Sequence, residues 1–182
     1  GGYSFVGGGG YNEASGYLSF VGGGYWNDAS GGYSFVGGGI YNNARGMGSF
    51  VGGGGLNEAS GYNSSVGGGG YNDATGRYSF VGGGYHNEAS GDYSFVGGGR
   101  TNVASGSYSF AAGRRAKAIF DGCFVWGDST DADISSTLSN QFMVRASGGV
   151  RFYSNAGATT GVRLAPGSGS WASVSDRKAK DN

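Results

Sequence analysis

Several residue types that most enzymes and metal sites require are scarce in this chain. It has one cysteine, one histidine and one proline in 182 residues, and charged residues make up 13%. A single cysteine excludes an intrachain disulfide, and a single histidine excludes a histidine-based metal cluster or catalytic triad. The formal net charge of +0 argues against electrostatic binding of nucleic acid. No apolar run approaches the 18 residues of a spanning helix, so we expect no membrane insertion.

Motifs for phosphate binding and nucleophilic catalysis are also missing. The glycine runs never lead into Gly-Lys-Ser or Gly-Lys-Thr, and no Gly-x-Ser-x-Gly turn occurs. We therefore expect a chain that is not an enzyme, with no cofactor and no metal site.

Glycine, by contrast, is abundant and strictly ordered. The chain has 44 glycines, and most of them recur within a fifteen-residue unit that repeats across residues 1–110 without insertion or deletion. The unit reads Y-S-F-V-G-G-G-x-x-N-[DE]-A-S-G-x. A strict period over this length predicts stacked coils that bury their cores only against their neighbours.

Each unit divides into two half-units of similar pattern. Ser4-x-Val6-x-Gly8 is followed by Asn12-x-Ala14-x-Gly16, and the pair recurs in every repeat. Period-two alternation predicts one short strand in each half, with Ser, Val, Asn, Ala and the two glycines inward, and Tyr, Phe and Gly outward on the first strand. The fold class is therefore an all-β parallel β-roll or β-solenoid of fifteen-residue coils. The inward asparagines are suited to either of two roles: they could form a side-chain ladder between coils, or they could simply favour the turn.

One outward face of the coil is predicted to be aromatic. It is formed by Phe5, Phe20, Phe35, Phe50, Phe80, Phe95 and Phe110, flanked by Tyr33, Tyr78 and Tyr93. A stripe of this size is larger than monomers leave in water. We therefore expect this face to meet other copies of the chain, most simply around a threefold axis. One unit departs from the pattern, because Ser65 replaces phenylalanine; Tyr62 is expected to fill part of the gap.

The other outward face is acidic, with Glu13, Asp28, Glu58, Asp73 and Glu88, and we expect it to face solvent. A more variable column lies at a turn. It contains Tyr11, Trp26, Tyr41, Tyr71 and His86, with Leu56 and Thr101 at the equivalent positions. This column suits either packing at the rim of an oligomer or an exposed aromatic ladder that stacks on sugars.

The repeat decays after Phe110. We expect capping coils over residues 111–139, a short β-strand region and a Gly/Ser-rich segment over 140–170, and a separate segment over 171–182. Residues 140–146 and 149–154 alternate as strands and suit a hairpin or a new coil, whereas 159–169 reads as a loose segment. Asp128, Asp131 and Asp133 suit either a polar loop or a calcium site. Cys123 could form a disulfide only with a cysteine of another chain.

Two resemblances follow from these motifs. Residues 1–110, with their Ser-x-Val-x-Gly and Asn-x-Ala-x-Gly half-units, resemble the head repeats of trimeric autotransporter adhesins. That resemblance implies a left-handed roll in a homotrimer. Residues 175–182, Ser-Asp-Arg-Lys-Ala-Lys-Asp-Asn, resemble the opening of the endosialidase-type intramolecular chaperone of phage tail fibres and tailspikes. That resemblance implies chaperone-assisted trimerisation and self-cleavage at Ser175 with Lys180.

Together these patterns predict a structural subunit of an extracellular or phage-type trimeric fibre. It would serve attachment to a cell-surface glycan or protein receptor, or act as a rigid spacer. Two alternatives remain, an extracellular filament that polymerises end to end and the stalk of a spike whose enzymatic domain lies elsewhere. The chain begins inside a repeat without Met, so we expect it to be a piece of a longer protein.

Overall fold

The protein, described here from a computed structural model over residues 2–174, folds into a parallel β-solenoid of about nine coils followed by a small antiparallel sheet. The solenoid strands are β1 (Phe5–Val6), β2 (Phe20–Val21), β3 (Phe35–Val36), β4 (Asn43–Ala44), β5 (Phe50–Val51), β6 (Glu58–Ala59), β7 (Ser65–Val66), β8 (Asp73–Ala74), β9 (Phe80–Val81), β10 (Glu88–Ala89), β11 (Phe95–Arg100), β12 (Val103–Ala104), β13 (Phe110–Arg114), β14 (Ala116–Ala118), β15 (Phe124–Gly127), β16 (Ile134–Ser135) and β17 (Phe142–Arg145). Every regular element within residues 2–174 is a strand. The predicted all-β solenoid with two short strands per coil is confirmed.

The strands form two parallel sheets along the solenoid. The phenylalanine sheet has the order β1-β2-β3-β5-β7-β9-β11-β13-β15-β17, and the acidic sheet has the order β4-β6-β8-β10-β12-β14-β16. Neighbouring coils pair in register, so that Phe20 lies beside Phe35 and Glu58 beside Asp73. Residues fifteen apart in sequence therefore form continuous columns along the solenoid.

The core is as thin as the inward set predicts. Within residues 2–174, the buried apolar side chains are valines and Ala111 of the phenylalanine sheet, alanines of the acidic sheet, and Cys123. Ser and Asn fill the remaining buried columns, and Gly31 and Gly46 belong to a buried glycine column. A Cβ on Gly46 would collide with the carbonyl oxygen of Gly61, so only glycine permits this spacing between coils. The glycine of the first half-unit differs, because Gly23 is only partly buried.

Both turns of each fifteen-residue coil contain a residue in the left-handed region. At the first turn Tyr33 has φ 59°, and at the second turn Tyr41 has φ 56°. Non-glycine residues rarely take this conformation, which costs about 1–2 kcal/mol. The turn also ends the alternation of the strand, so Tyr33, Tyr78 and Tyr93 do not lie on the strand with phenylalanine. The predicted strand was too long at this end.

The solenoid continues beyond the expected capping region. The compact unit that contains it ends at Val144, and β17 is the last strand of the phenylalanine sheet. Of the two alternatives for residues 140–146, the structure therefore shows a new coil. The coils after Phe110 depart from fifteen residues, since Phe110 pairs with Phe124.

The second compact unit begins at Arg145 and contains a sheet of three antiparallel strands. These are β18 (Val150–Tyr153), β19 (Gly161–Leu164) and β20 (Trp171–Val174), paired in the order β18-β19-β20. The segment 159–169, expected to be loose, contains β19 because Val162 and Leu164 alternate with Gly161 and Arg163.

Candidate interaction surfaces

A ladder of stacked phenylalanine rings covers the outer face of the phenylalanine sheet. Ring centroids of neighbouring coils lie 5.0 Å apart for Phe20 and Phe35 and 5.2 Å apart for Phe35 and Phe50, with planes nearly parallel. The phenylalanine ladder consists of Phe5, Phe20, Phe35, Phe50, Phe80, Phe95, Phe110, Phe124 and Phe142. Stacking covers ring faces, yet the outer edges remain in solvent.

Phe124 and Phe142 belong to the ladder although the fifteen-residue period does not reach them. Phe110 and Phe124 stack at 4.6 Å, and Phe124 and Phe142 at 4.8 Å. A signal in the sequence does identify them: Cys123-Phe124-Val125 and Gln141-Phe142-Met143 repeat the Ser-Phe-Val pattern with substitutions. Cys123 thus occupies the buried serine column, where its thiol lies 3.1 Å from the carbonyl oxygen of Leu138.

The ladder has one interruption. Ser65 pairs with Phe50 on one side and Phe80 on the other, so that two ring contacts are lost. Tyr62 does not fill the gap by stacking on the phenylalanines. Its ring contacts Tyr78 edge to face, with centroids 5.4 Å apart, in the column of the first turn.

The exposed area of the ladder is large for an isolated chain. Phe50, Phe80 and Phe95 are 39%, 37% and 39% exposed, and Phe142 is 69% exposed. Phe5 is also exposed and the other four rings are half-buried, so at about 150–250 Å² for a fully covered aromatic side chain the nine rings leave roughly 500–800 Å² in solvent. That exceeds the few hundred Å² that monomeric proteins usually leave in one apolar patch.

The tyrosines of the first turn form a second, parallel ladder. Tyr78, Tyr93 and Tyr108 stack with centroids 5.1 and 5.2 Å apart. Tyr33 contacts Tyr17 edge to face at 5.6 Å. By covering apolar ring surface, these contacts offset part of the free-energy cost of the left-handed turn conformation.

The variable column of the second turn is divided into two stacks. Tyr11 stacks on Trp26 at 4.5 Å and Trp26 on Tyr41 at 6.2 Å, whereas Tyr71 stacks on His86 at 4.7 Å. Rings within a stack cover each other's faces. Most of this column therefore presents ring edges to solvent, and Leu56 separates the two stacks.

Carboxylates line the outer face of the acidic sheet, as predicted. In the first half, Arg45 lies between Asp28 and Glu58, at 3.5 and 3.4 Å. Further along, burial and the neighbouring carboxylates of Glu58 and Glu88 raise the pKa of Asp73, while His86 opposes the shift. The row is thus partly neutralised by a cation at one end and self-repelling at the other.

The aspartates after Trp126 make ion pairs. Arg114 contacts Asp131 at 2.8 Å, and Arg115 contacts Asp133 at 2.8 Å. Across residues 2–174, no three His, Cys, Asp or Glu side chains are grouped so that they could hold a metal ion. The geometry therefore favours a polar loop over a calcium site. Ser175 and Lys180, the residues of the implied self-cleavage, lie outside the described residues.

No helix in the described part of the chain is long and apolar enough to cross a membrane. Comparison with models of known protein families gives no match, and a search of curated proteins finds no relative of the chain.

Proposed function

We propose that the chain is a structural subunit of a homotrimeric extracellular fibre, of a virion or a cell surface, that serves attachment or acts as a rigid spacer. The single observation that supports this most is the exposed phenylalanine ladder. It runs the length of the solenoid on one face, where a second solenoid can lie alongside it.

The composition of the core supports association for a second reason. Only small side chains are buried between the two sheets, so a single coil buries little apolar surface. Covering the phenylalanine ladder would add the large aromatic side chains that the interior lacks. Three copies around an axis would cover every ladder without leaving one open.

Attachment would rely on repetition. The acidic face and the second-turn column recur in each coil and would face outward from such an assembly, so that weak contacts to a cell-surface glycan or protein receptor add up by avidity. The resemblance of residues 175–182 to a chaperone opening further suggests release by self-cleavage at Ser175 with Lys180. A left-handed roll is likewise part of the proposal by resemblance.

The mass of the native assembly tests the proposal. We expect light scattering to give three times the chain mass of 18.3 kDa. The double substitution Phe35→Ser and Phe50→Ser, which copies Ser65, should shift the mass towards the monomer. Each buried phenylalanine contributes about 1.5–3 kcal/mol, so the dissociation constant should rise at least about a hundredfold.

Tyr41→Ser with Leu56→Ser is the matched control, because it removes two large side chains from the second turn of the same coils. This variant should keep the trimer. A monomer in the unsubstituted chain contradicts the proposal, and a mass that grows with concentration identifies an end-to-end filament instead.

A further inference from the structure

The three-stranded sheet of the second unit is amphipathic. Residues directly opposite each other in an antiparallel pair point to the same face, and the register places Val150 opposite Leu164 and Leu164 opposite Trp171. The same register aligns Phe152 with Val162. One face is therefore largely apolar; we call it the C-terminal apolar face, and it consists of Val150, Phe152, Val162, Leu164 and Trp171, with Ser173 as its polar member.

The opposite face is more polar, although Ala172 and Val174 also lie on it. It has Arg151 directly opposite Arg163 on the neighbouring strand, with Tyr153 one pair further along. The Arg151 guanidinium donates a hydrogen bond of 3.3 Å to the Tyr153 hydroxyl. Two like charges that face each other across a strand pair favour open solvent on this side.

The C-terminal apolar face is open within its own unit. Phe152 is 56% exposed and Trp171 is 52% exposed, although their rings approach to 5.7 Å above the middle strand. No residue from 145 to 174 is buried. A sheet of three short strands needs a packed apolar face to be stable, and this sheet has the face without the packing.

The eight residues that follow in this chain are unsuited to cover it. Residues 175–182 read Ser-Asp-Arg-Lys-Ala-Lys-Asp-Asn, with no apolar side chain larger than alanine. A second copy of the chain, by contrast, supplies an equivalent apolar face at equal concentration. Its apolar side chains match the face in chemistry, and its arginines stay on the solvent side.

We infer that the C-terminal apolar face packs against the same face of other copies of this chain, as an association site separate from the phenylalanine ladder. Half-exposed Phe152 and Trp171 with three aliphatic neighbours offer roughly 300 Å² per copy, against about 800 Å² per partner in a standard interface. The face is therefore too small to hold two chains together by itself and would strengthen an assembly that another interface also holds. To that extent the inference rests on the proposed function.

Cross-linking from adjacent positions on opposite faces tests the inference. Ser173 aligns with Val162 and Phe152 and so lies on the C-terminal apolar face, whereas Ala172 aligns with Arg163 on the polar face. Both are exposed. Ser173→Cys and Ala172→Cys, each with Cys123→Ser to remove the native thiol, form a matched pair.

A bismaleimide that spans about 10 Å, the distance between packed sheets, should join two copies of the Ser173→Cys chain. The Ala172→Cys chain should give at least about tenfold less dimer on a denaturing gel, because its thiol points away from the partner sheet. Adding Trp171→Ser to Ser173→Cys should reduce the cross-linked product, since it removes the largest apolar contact.

The outcomes separate the inference from the proposed function. Equal yields from the two cysteine positions in a chain that is oligomeric by light scattering overturn the inference and leave the phenylalanine interface standing. In another outcome, Phe35→Ser with Phe50→Ser leaves the mass of the assembly unchanged and the cross-link at position 173 persists. That outcome supports the inference and counts against the ladder interface. A monomeric chain without cross-link overturns both.

Discussion

At the residue scale, the asparagine column connects the coils more completely than any other. Asn57 is fully buried, and its side-chain nitrogen donates to the carbonyl oxygens of Gly53 and Gly69 at 2.9 and 3.0 Å. Its side-chain oxygen accepts from the backbone N–H of Asn72 in the next coil at 3.0 Å. Of the two readings of the sequence, the ladder is the one confirmed, because each asparagine links its own turn to the following coil.

Asn57→Ala should therefore lower the free energy of unfolding of the solenoid by about 2 kcal/mol, because the Gly53 carbonyl and the Asn72 N–H lose their partner, whereas the Gly69 carbonyl keeps the N–H of Gly55. Denaturant unfolding measures the total effect. Amide exchange should also show faster exchange at Asn72. Asn43→Ala, on the outward row of the same sheet, is the control and should stay within about 0.5 kcal/mol of the parent. Equal losses from the two variants would count against the ladder.

At the element scale, the strands are too short to be stable one by one. Most solenoid strands have two residues, and backbone bonds such as Phe35 N to Ser49 O at 3.0 Å connect them only to the adjacent coils. Side-chain columns add stability between coils, and the phenylalanine sheet shows where this addition is missing. Between β5 and β9, Ser65 breaks the run of ring contacts.

Ser65→Phe should close that gap. A ring at position 65 would stack on Phe50 and Phe80, and two aromatic pairs contribute about 1–3 kcal/mol. Thermal unfolding followed by circular dichroism should show a higher midpoint for Ser65→Phe than for the parent chain. Ser65→Ala, compared at the same protein concentration, should leave the midpoint nearly unchanged. A midpoint that does not rise with phenylalanine would mean that the ladder adds little stability within one chain.

At the scale of the whole molecule, the repeat makes the solenoid modular. Each coil contacts only its neighbours, so stability is close to a sum over coils and their interfaces. Removal of one full period should leave the others in register. Removal of half a period should exchange the two sheets, because the half-units differ in what they place outward.

Deletion of residues 77–91 joins Gly76 to Asp92 at equivalent positions of the repeat, and we expect a folded, shorter solenoid. Deletion of residues 77–84 is the matched control. It places Asn87, Glu88 and Ala89 where Ser79, Phe80 and Val81 would stand, and so interrupts both the valine core and the phenylalanine ladder. Far-UV circular dichroism and amide exchange should show native-like strands for the first deletion and a loss of protection downstream of residue 76 for the second. Similar protection in both variants would contradict the modular description.

How far the sequence predicted this protein depended on the regularity of each region. The strands and inward residues of the first 110 residues follow from alternation. Val21 and Ala29 recur at fixed spacing, and each alternates with outward residues, so their side chains must face the interior. The continuation through Phe124 and Phe142 was missed as part of the ladder because spacings of 14 and 18 residues replace 15. Strand β19 was not predicted from the sequence, because glycine and proline flank its short alternating run.

The sequence by itself determined the coil: a fifteen-residue period with small inward residues permits only thin, stacked strands. The tertiary structure decided which surfaces those coils present, because turns with positive φ separate the tyrosine column from the phenylalanine strand. It also showed that the rings of the second turn cover one another's faces, which the order of residues does not reveal. The amphipathic character of the last sheet depends on strand register, and register is a property of paired strands.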